Sequence, residues 1–267
     1  MIANLHIETK LRDGITYLKK VYYTPPFKIA DIREDKKSPT LQLMLMSSSP
    51  GVLDGDEYRM RVELDAGCSL RLSTQSYQRL FSMKGNASQQ LEIVMDQGSS
   101  FCYLPHPTVP HESSDFVSKN KIFLSDDCSL IWGEVLTCGR KMNGEVFLFS
   151  KYHNLTEIYL HGKLIIKENL MIKPAQININ AIGQLENYTH QASLIYLDGG
   201  ADVKALKQSV NEFLSTQTNL TYAVTTTPKN GFLVRILGYQ GEQLHHCLHK
   251  IAEIKTSTKA TLKAYAQ

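Results

Sequence analysis

Three look-alike turns, spaced 31 and 29 residues apart at Cys68, Ser99 and Cys128, constrain this chain more than any other feature. The copies are Asp65-Ala66-Gly67-Cys68-Ser69-Leu70-Arg71-Leu72, Asp96-Gln97-Gly98-Ser99-Ser100-Phe101-Cys102-Tyr103 and Ser125-Asp126-Asp127-Cys128-Ser129-Leu130-Ile131-Trp132. In each, an apolar strand enters a tight polar turn, a small Cys/Ser-Ser step follows, and large residues resume at alternate positions. One such unit cannot bury its own apolar face, so successive copies must stack on one another. The expectation is a mainly-β fold, an elongated β-helix or solenoid-like stack of strands. An ordinary β-sandwich whose hairpins share turn chemistry is the alternative.

The strand signals fit. Tyr58, Met60, Val62 and Leu64 alternate with Arg59, Arg61 and Glu63, the pattern of a half-buried strand. Similar runs occur at residues 41–46, 91–95, 121–124, 146–149, 157–160 and 163–166, separated by Gly, Asp, Asn and Ser turns. After about residue 185 the period changes. A strand at 193–197 precedes a helix over 201–216 with Val203, Leu206, Val210, Phe213 and Leu214 on one face. Strands at 220–226 and 231–237 follow, then a helix from Glu242 to about Lys255 striped by Leu244, Leu248, Ile251 and Ile254. Without a Pro/Gly/Ser-rich linker to mark a boundary, the chain reads as one domain: a stacked β core over 1–184 and an α+β flank with two α-helices over 185–267.

Composition excludes several functions. The 29 Lys+Arg against 26 Asp+Glu leave a formal charge of +3 with no basic stripe, which argues against nucleic acid as a partner. No apolar run is long enough for a membrane span. The opening Met1-Ile2-Ala3-Asn4-Leu5-His6 has no export signature, so a cytoplasmic location is expected. The five cysteines lack a Cys-x-x-Cys pair and read as small buried residues. Phosphate-cradle, dinucleotide, nucleophile-elbow and zincin motifs are missing; Gly139-Arg140-Lys141-Met142-Asn143-Gly144 reads as a β-turn.

Some residues invite a chemical role. Glu134 lies two residues beyond Trp132 on one strand and so shares its face, and Glu168 follows Leu164 and Ile166 in register. A carboxylate facing a core must be paired, metal-bound, protonated or in a wet channel, unless the strand end is already in solvent. Ser73-Thr74-Gln75-Ser76-Tyr77 is too polar for a core strand and lines either solvent or an internal passage. His245 and His249 sit one helical turn apart and could chelate a divalent metal, although a solvated face is the simpler reading and no third ligand is visible beside them. His246 is their neighbour. His106 and His111 flank a proline-rich bend, and Tyr22-Tyr23-Thr24-Pro25-Pro26-Phe27 sets a rigid diproline between aromatics.

Several of these segments together resemble the urease accessory protein UreD family, called UreH in some species. Tyr23-Thr24-Pro25-Pro26-Phe27-Lys28 matches its diproline motif, and Ser49-Pro50-Gly51-Val52-Leu53-Asp54-Gly55-Asp56 its Ser-Pro-Gly turn. Thr74-Gln75-Ser76 resembles its polar strand, Leu104-Pro105-His106-Pro107 with Val109-Pro110 its proline bend, and Trp132-Gly133-Glu134, Gly139-Arg140 and Gly144-Glu145 its central block. The resemblance implies a non-enzymatic chaperone that assembles with UreF and the GTPase UreG on apo-urease and assists nickel insertion through an internal polar channel. No tightly bound cofactor is implied, only transient nickel, with Glu134, Glu168 and Thr74 along its route. Thr24, Pro25, Pro26, Phe27, Gln75, His106 and Arg140 become candidate partner-binding residues. His111 and the helix histidines depart from the family pattern. From the residues alone, a β-solenoid carbohydrate-active enzyme with paired carboxylates over an open groove remains the alternative.

Overall fold

The computed structural model describes residues 1–200 and 202–264, with side chains through residue 254. In chain order the elements are β1 (Ile2–Arg12), β2 (Ile15–Tyr23), β3 (Phe27–Asp31), β4 (Leu41–Ser47), β5 (Glu57–Leu64), β6 (Ser69–Thr74), β7 (Gln78–Leu80), β8 (Ala87–Met95) and β9 (Ser100–Tyr103). Then come β10 (Thr108–Pro110), β11 (Asp115–Leu124), β12 (Ser129–Leu136), β13 (Lys151–Leu160), β14 (Lys163–Ile172), β15 (His190–Asp198), α1 (Val203–Ser215), β16 (Leu220–Thr226), β17 (Gly231–Gly238) and α2 (Gly241–Ala264).

The strands form two sheets, one of seven in the order β14-β13-β11-β8-β5-β1-β2 and one of ten along β16-β17-β15-β12-β9-β6-β4-β3, with β7 and β10 at its side. From β4 to β13 the chain crosses repeatedly between them. Each crossing delivers a strand that pairs in parallel with the previous strand of the same sheet, as in β4·β6·β9·β12 and β5·β8·β11·β13. The repeated turns make these crossings and stack directly: Gly67 N–H donates to the Gln97 carbonyl and Gly98 N–H to the Asp126 carbonyl, each at 2.9 Å. Their third residues, Gly67, Gly98 and Asp127, all take positive φ, a conformation open to glycine and tolerated by aspartate. Cys68, Ser99 and Cys128 follow in one buried column, where larger side chains would force the stacked turns apart.

The mainly-β class and both helices stand as expected. The solenoid does not: the sheets are open, because antiparallel strands terminate the parallel runs, β2 and β14 in one sheet and β3 and the β15·β17·β16 set in the other. Residues 146–149 are a second correction. Phe147 takes φ 55° and breaks the extended run, while Phe149 turns into the core. The segment 139–144 holds a short 3-10 turn at Lys141–Asn143. Ala201, where the first helix was expected to open, lies outside the described residues, as do 265–267. The second helix runs past its apolar stripe, which is why its length was not readable from periodicity.

The inner faces of the sheets share one core, including Leu43, Val62, Leu70, Ile93, Phe101, Ile122, Leu130 and Trp132. Each fully buried aliphatic side chain contributes about 1.5–3 kcal/mol relative to exposure. A second core on the outer face of the larger sheet joins Ile131, Val135, Leu194 and Val234 to Leu206, Val210 and Leu214 of α1 and Leu244, Leu248 and Ile251 of α2. Gly133 permits that seating: a Cβ there would stand 2.5 Å from Leu104 Cδ2 and 3.0 Å from Leu248 Cδ1. Of the cysteines, 68, 128, 138 and 247 are buried and Cys102 is half-buried. Among the described residues no helix is long and apolar enough to cross a membrane.

Candidate functional site

At one end of the inter-sheet core the packing gives way to a cavity of about 120 Å³, space for several waters. Its walls mix apolar and polar groups. Phe27, Met60, Phe116 and Trp132 contribute the former; Gln89, Ser118, Asn120 and Asn154 contribute polar groups from the inner face of the seven-stranded sheet. Ser47, Pro50, Gln75 and Ser76, all exposed, surround its mouth. Of the run 73–77, read as lining solvent or a passage, residues 74–77 line this cavity, with Gln75 and Ser76 also exposed.

Glu134 lines this cavity, on the inward face of β12 with Trp132 as strand parity requires. Asn120 Nδ2 donates to Glu134 Oε1 at 3.4 Å and to Asn154 Oδ1 and Thr156 Oγ1 at 3.0 Å, and Asn154 Nδ2 donates to Glu134 Oε2. Burial dominates the electrostatics and lifts the Glu134 pKa from 4.5 to about 7, against the opposing pull of Asn154 and Trp132, while Glu168 adds to the rise. The carboxyl therefore changes charge near neutrality. The buried indole N–H of Trp132 has no hydrogen-bond acceptor in good geometry, leaving a donor beside the carboxyl. Tyr103 and Tyr152, also in the wall, are held as neutral phenols by burial and by Glu134.

Thr74 lies at the rim, where its Oγ1 accepts from the His106 backbone N–H at 2.8 Å and meets His106 Nδ1 at 3.1 Å. Glu168 is elsewhere: it lines a separate hollow near Thr225 and Pro228 and is ion-paired with Arg235 on β17. Phe27 is a cavity wall, packed edge-on against Tyr58 with ring centroids 4.9 Å apart. Pro26 is buried, Pro25 is exposed, and Thr24 Oγ1 accepts from Asn4 N–H at 2.8 Å, closing the end of β1. Gln75 is exposed at the mouth, whereas Arg140 pairs with Glu145 and does not line the cavity but an adjoining hollow with Tyr77. His111 is buried against Phe81, and burial lowers its pKa.

The helix histidines are not a solvated face. His245 and His249 are half-buried, their Nε2 atoms are 3.1 Å apart, and the His106 ring stacks on His245 at 4.8 Å. His106 is therefore a third imidazole beside the pair, stacked on His245, although among the described residues the three do not converge as one ligand set. Burial lowers both helix imidazoles, His249 to about 4 with help from His245 and Arg71. His246 is exposed. The sequence reading also missed Gln89, Ser118, Asn120 and Asn154. Their signal was present as polar residues at core parity on three adjacent strands.

These features define a class: a mainly-β protein that walls in a polar, carboxylate-bearing cavity and carries helices on the outer face of one sheet. The chain belongs to a particular family within it, whose model, UreD urease accessory protein, matches residues 1–266. It is 44% identical over 274 residues to the urease accessory protein UreD of Flavobacterium johnsoniae, covering 100% of this chain and 99% of that protein. Identity is 36% to the UreD of Acetivibrio thermocellus, covering 94% and 96%, and 33% to that of Haemophilus influenzae, covering 96% and 100%.

Proposed function

We propose that this chain acts in the cytoplasm as a non-enzymatic maturation scaffold, assembling with UreF and the GTPase UreG on apo-urease and helping nickel reach the urease active site through the inter-sheet cavity. The observation that carries this reading is Glu134, an oxygen donor near its neutralisation point inside a polar cavity whose rim holds Thr74 and His106. A cation passes along a route only if each stop holds it weakly. Oxygen ligands with few fixed partners meet that need for nickel better than a closed nitrogen or sulfur cage, which would trap it. Glu168 stands as a second acidic stop beyond the cavity, released when Arg235 turns aside. The parallel strands of the two open sheets act as a frame that keeps the route from collapsing. Thr24, Pro25, Gln75 and Arg140 offer accessible partner contacts, while the buried Pro26 and Phe27 shape the rim behind them. Paired-acid glycoside chemistry lacks this support, since Glu134 and Glu168 line different hollows rather than one open groove.

The test is co-expression of the urease subunits and the other accessory proteins with this chain, its Glu134→Ala or Glu168→Ala variant, or no chain. Nickel per urease and ureolysis should fall in both variants while the accessory complex is still recovered intact. Full activation without the chain overturns the proposal.

A further inference from the structure

We propose that His245 and His249 form a receiving site for a borderline divalent cation such as nickel at the rim of the cavity, guarded by Arg71 and opening toward His106 and Thr74. The hydrogen bonds in this cluster run in one direction. A guanidinium only donates, so the contact of 3.2 Å from Arg71 Nη2 makes His249 Nδ1 an acceptor. Neutral His249 then carries its proton on Nε2 and donates it to His245 Nε2 across 3.1 Å. His245 is left with its proton on Nδ1, facing the backbone carbonyl of Leu104. A ring nitrogen whose partner nitrogen is anchored on a carbonyl is the usual arrangement of a metal-ligating histidine.

The spacing fits as well. Two nitrogens each about 2.1 Å from one ion stand about 3.0–3.4 Å apart for ligand angles between square and tetrahedral, and the two Nε2 atoms are 3.1 Å apart. For the ion to enter, the His249 proton must move from Nε2 to Nδ1, and Arg71 must swing away because two donors would then face each other. The guard therefore weakens binding without abolishing it. The site borders the cavity directly: His106, stacked on His245 at 4.8 Å, lines the cavity wall and meets Thr74 at 3.1 Å. Nearby carboxylates favour a cation's approach, Glu242 held by the Tyr77 hydroxyl at 2.6 Å and Glu253 by Lys250 at 2.8 Å.

The inference rests on the route proposed above only for the direction of travel; binding itself is measured on this chain alone. Nickel chloride is titrated into the purified full chain at pH 8 and followed by equilibrium dialysis. The wild type should bind one ion, displaced by zinc and not by magnesium, as imidazole ligation requires. The double variant His245→Gln/His249→Gln should lose affinity about tenfold or more. Arg71→Ala should gain affinity severalfold, a change that misfolding cannot produce. No binding by the wild type, equal affinity in the double variant, or no gain with Arg71→Ala overturns the inference. If the site binds as stated while Glu134→Gln leaves urease activation intact, the cavity route fails and the receiving site stands.

Discussion

Substituting Glu134 by glutamine should change how stability depends on pH, and by a calculable amount. In the folded protein the carboxyl titrates at about 7 instead of 4.5. At about 1.4 kcal/mol per tenfold change, ionising it costs about 3 kcal/mol more in the folded protein than in the unfolded chain. Because the folded value is the higher one, the stabilising contribution is fully present below the unfolded value near 4.5. It is lost as pH rises through about 7. Glutamine has the shape and neutrality of the protonated acid and keeps an oxygen for Asn120 or Asn154, so the variant should match the wild type near pH 4.5. Above pH 7 it should be the more stable protein. Solvent reaching the carboxyl through the cavity trims the full figure, so the expected divergence between pH 5 and 8 is about 2 kcal/mol. Urea unfolding of both proteins at half-unit pH intervals measures it, since every other titrating group cancels in the difference. A difference curve flat within about 0.5 kcal/mol would show that Glu134 is solvated like a surface carboxylate, and the reasoning from burial would fail.

Asn154→Ala removes the donor that most favours the ionised carboxyl, so the midpoint of that same difference curve should move above 7. Gly133→Ala should destabilise the protein by about 1–3 kcal/mol in urea melts, because the new methyl meets Leu104 and Leu248 where α2 sits on β12. Ile93→Ala, at a fully buried inter-sheet position, should cost about 2–5 kcal/mol by the same assay, with no effect on nickel binding at the histidines.

What the sequence revealed follows from where the physics is local. The turn repeat was legible because Gly67, Gly98 and Asp127 solve the same backbone problem and the small residues after them the same packing problem. That those turns link two open sheets was not, since closure depends on which strands cap the ends, and the β1·β2 hairpin went unread although Asp13-Gly14, both at positive φ, marks its turn. Strand parity placed Glu134 inward correctly, yet its partners Asn120 and Asn154 are 14 and 20 residues away and meet it only across the sheets. The histidine cluster shows the same limit. Helical spacing paired His245 with His249, but His106, in the loop between β9 and β10, and Arg71, on β6, lie more than a hundred residues earlier, so the face looked solvated. Glu168 had the right parity and still belongs to a different hollow, because β14 lies at the edge of its sheet, where Arg235 of the opposite sheet reaches it.

The groups that could hold a cation share one property: each already has a partner that must yield. Arg71 occupies His249, Arg235 occupies Glu168, Thr74 and His106 engage each other, and Asn120 and Asn154 hold Glu134. An ion arriving at any of them replaces an existing interaction, so its net gain is the difference between two comparable energies and the site stays weak. A storage site would be built the opposite way, with converging ligands left open and a closed coordination sphere. On the proposed route, weak stops inside and outside the cavity would let an ion move on in either direction, so the direction of transfer must come from outside this chain. On the proposed reading that bias is supplied by nucleotide hydrolysis in UreG at one end and by tight ligation in apo-urease at the other.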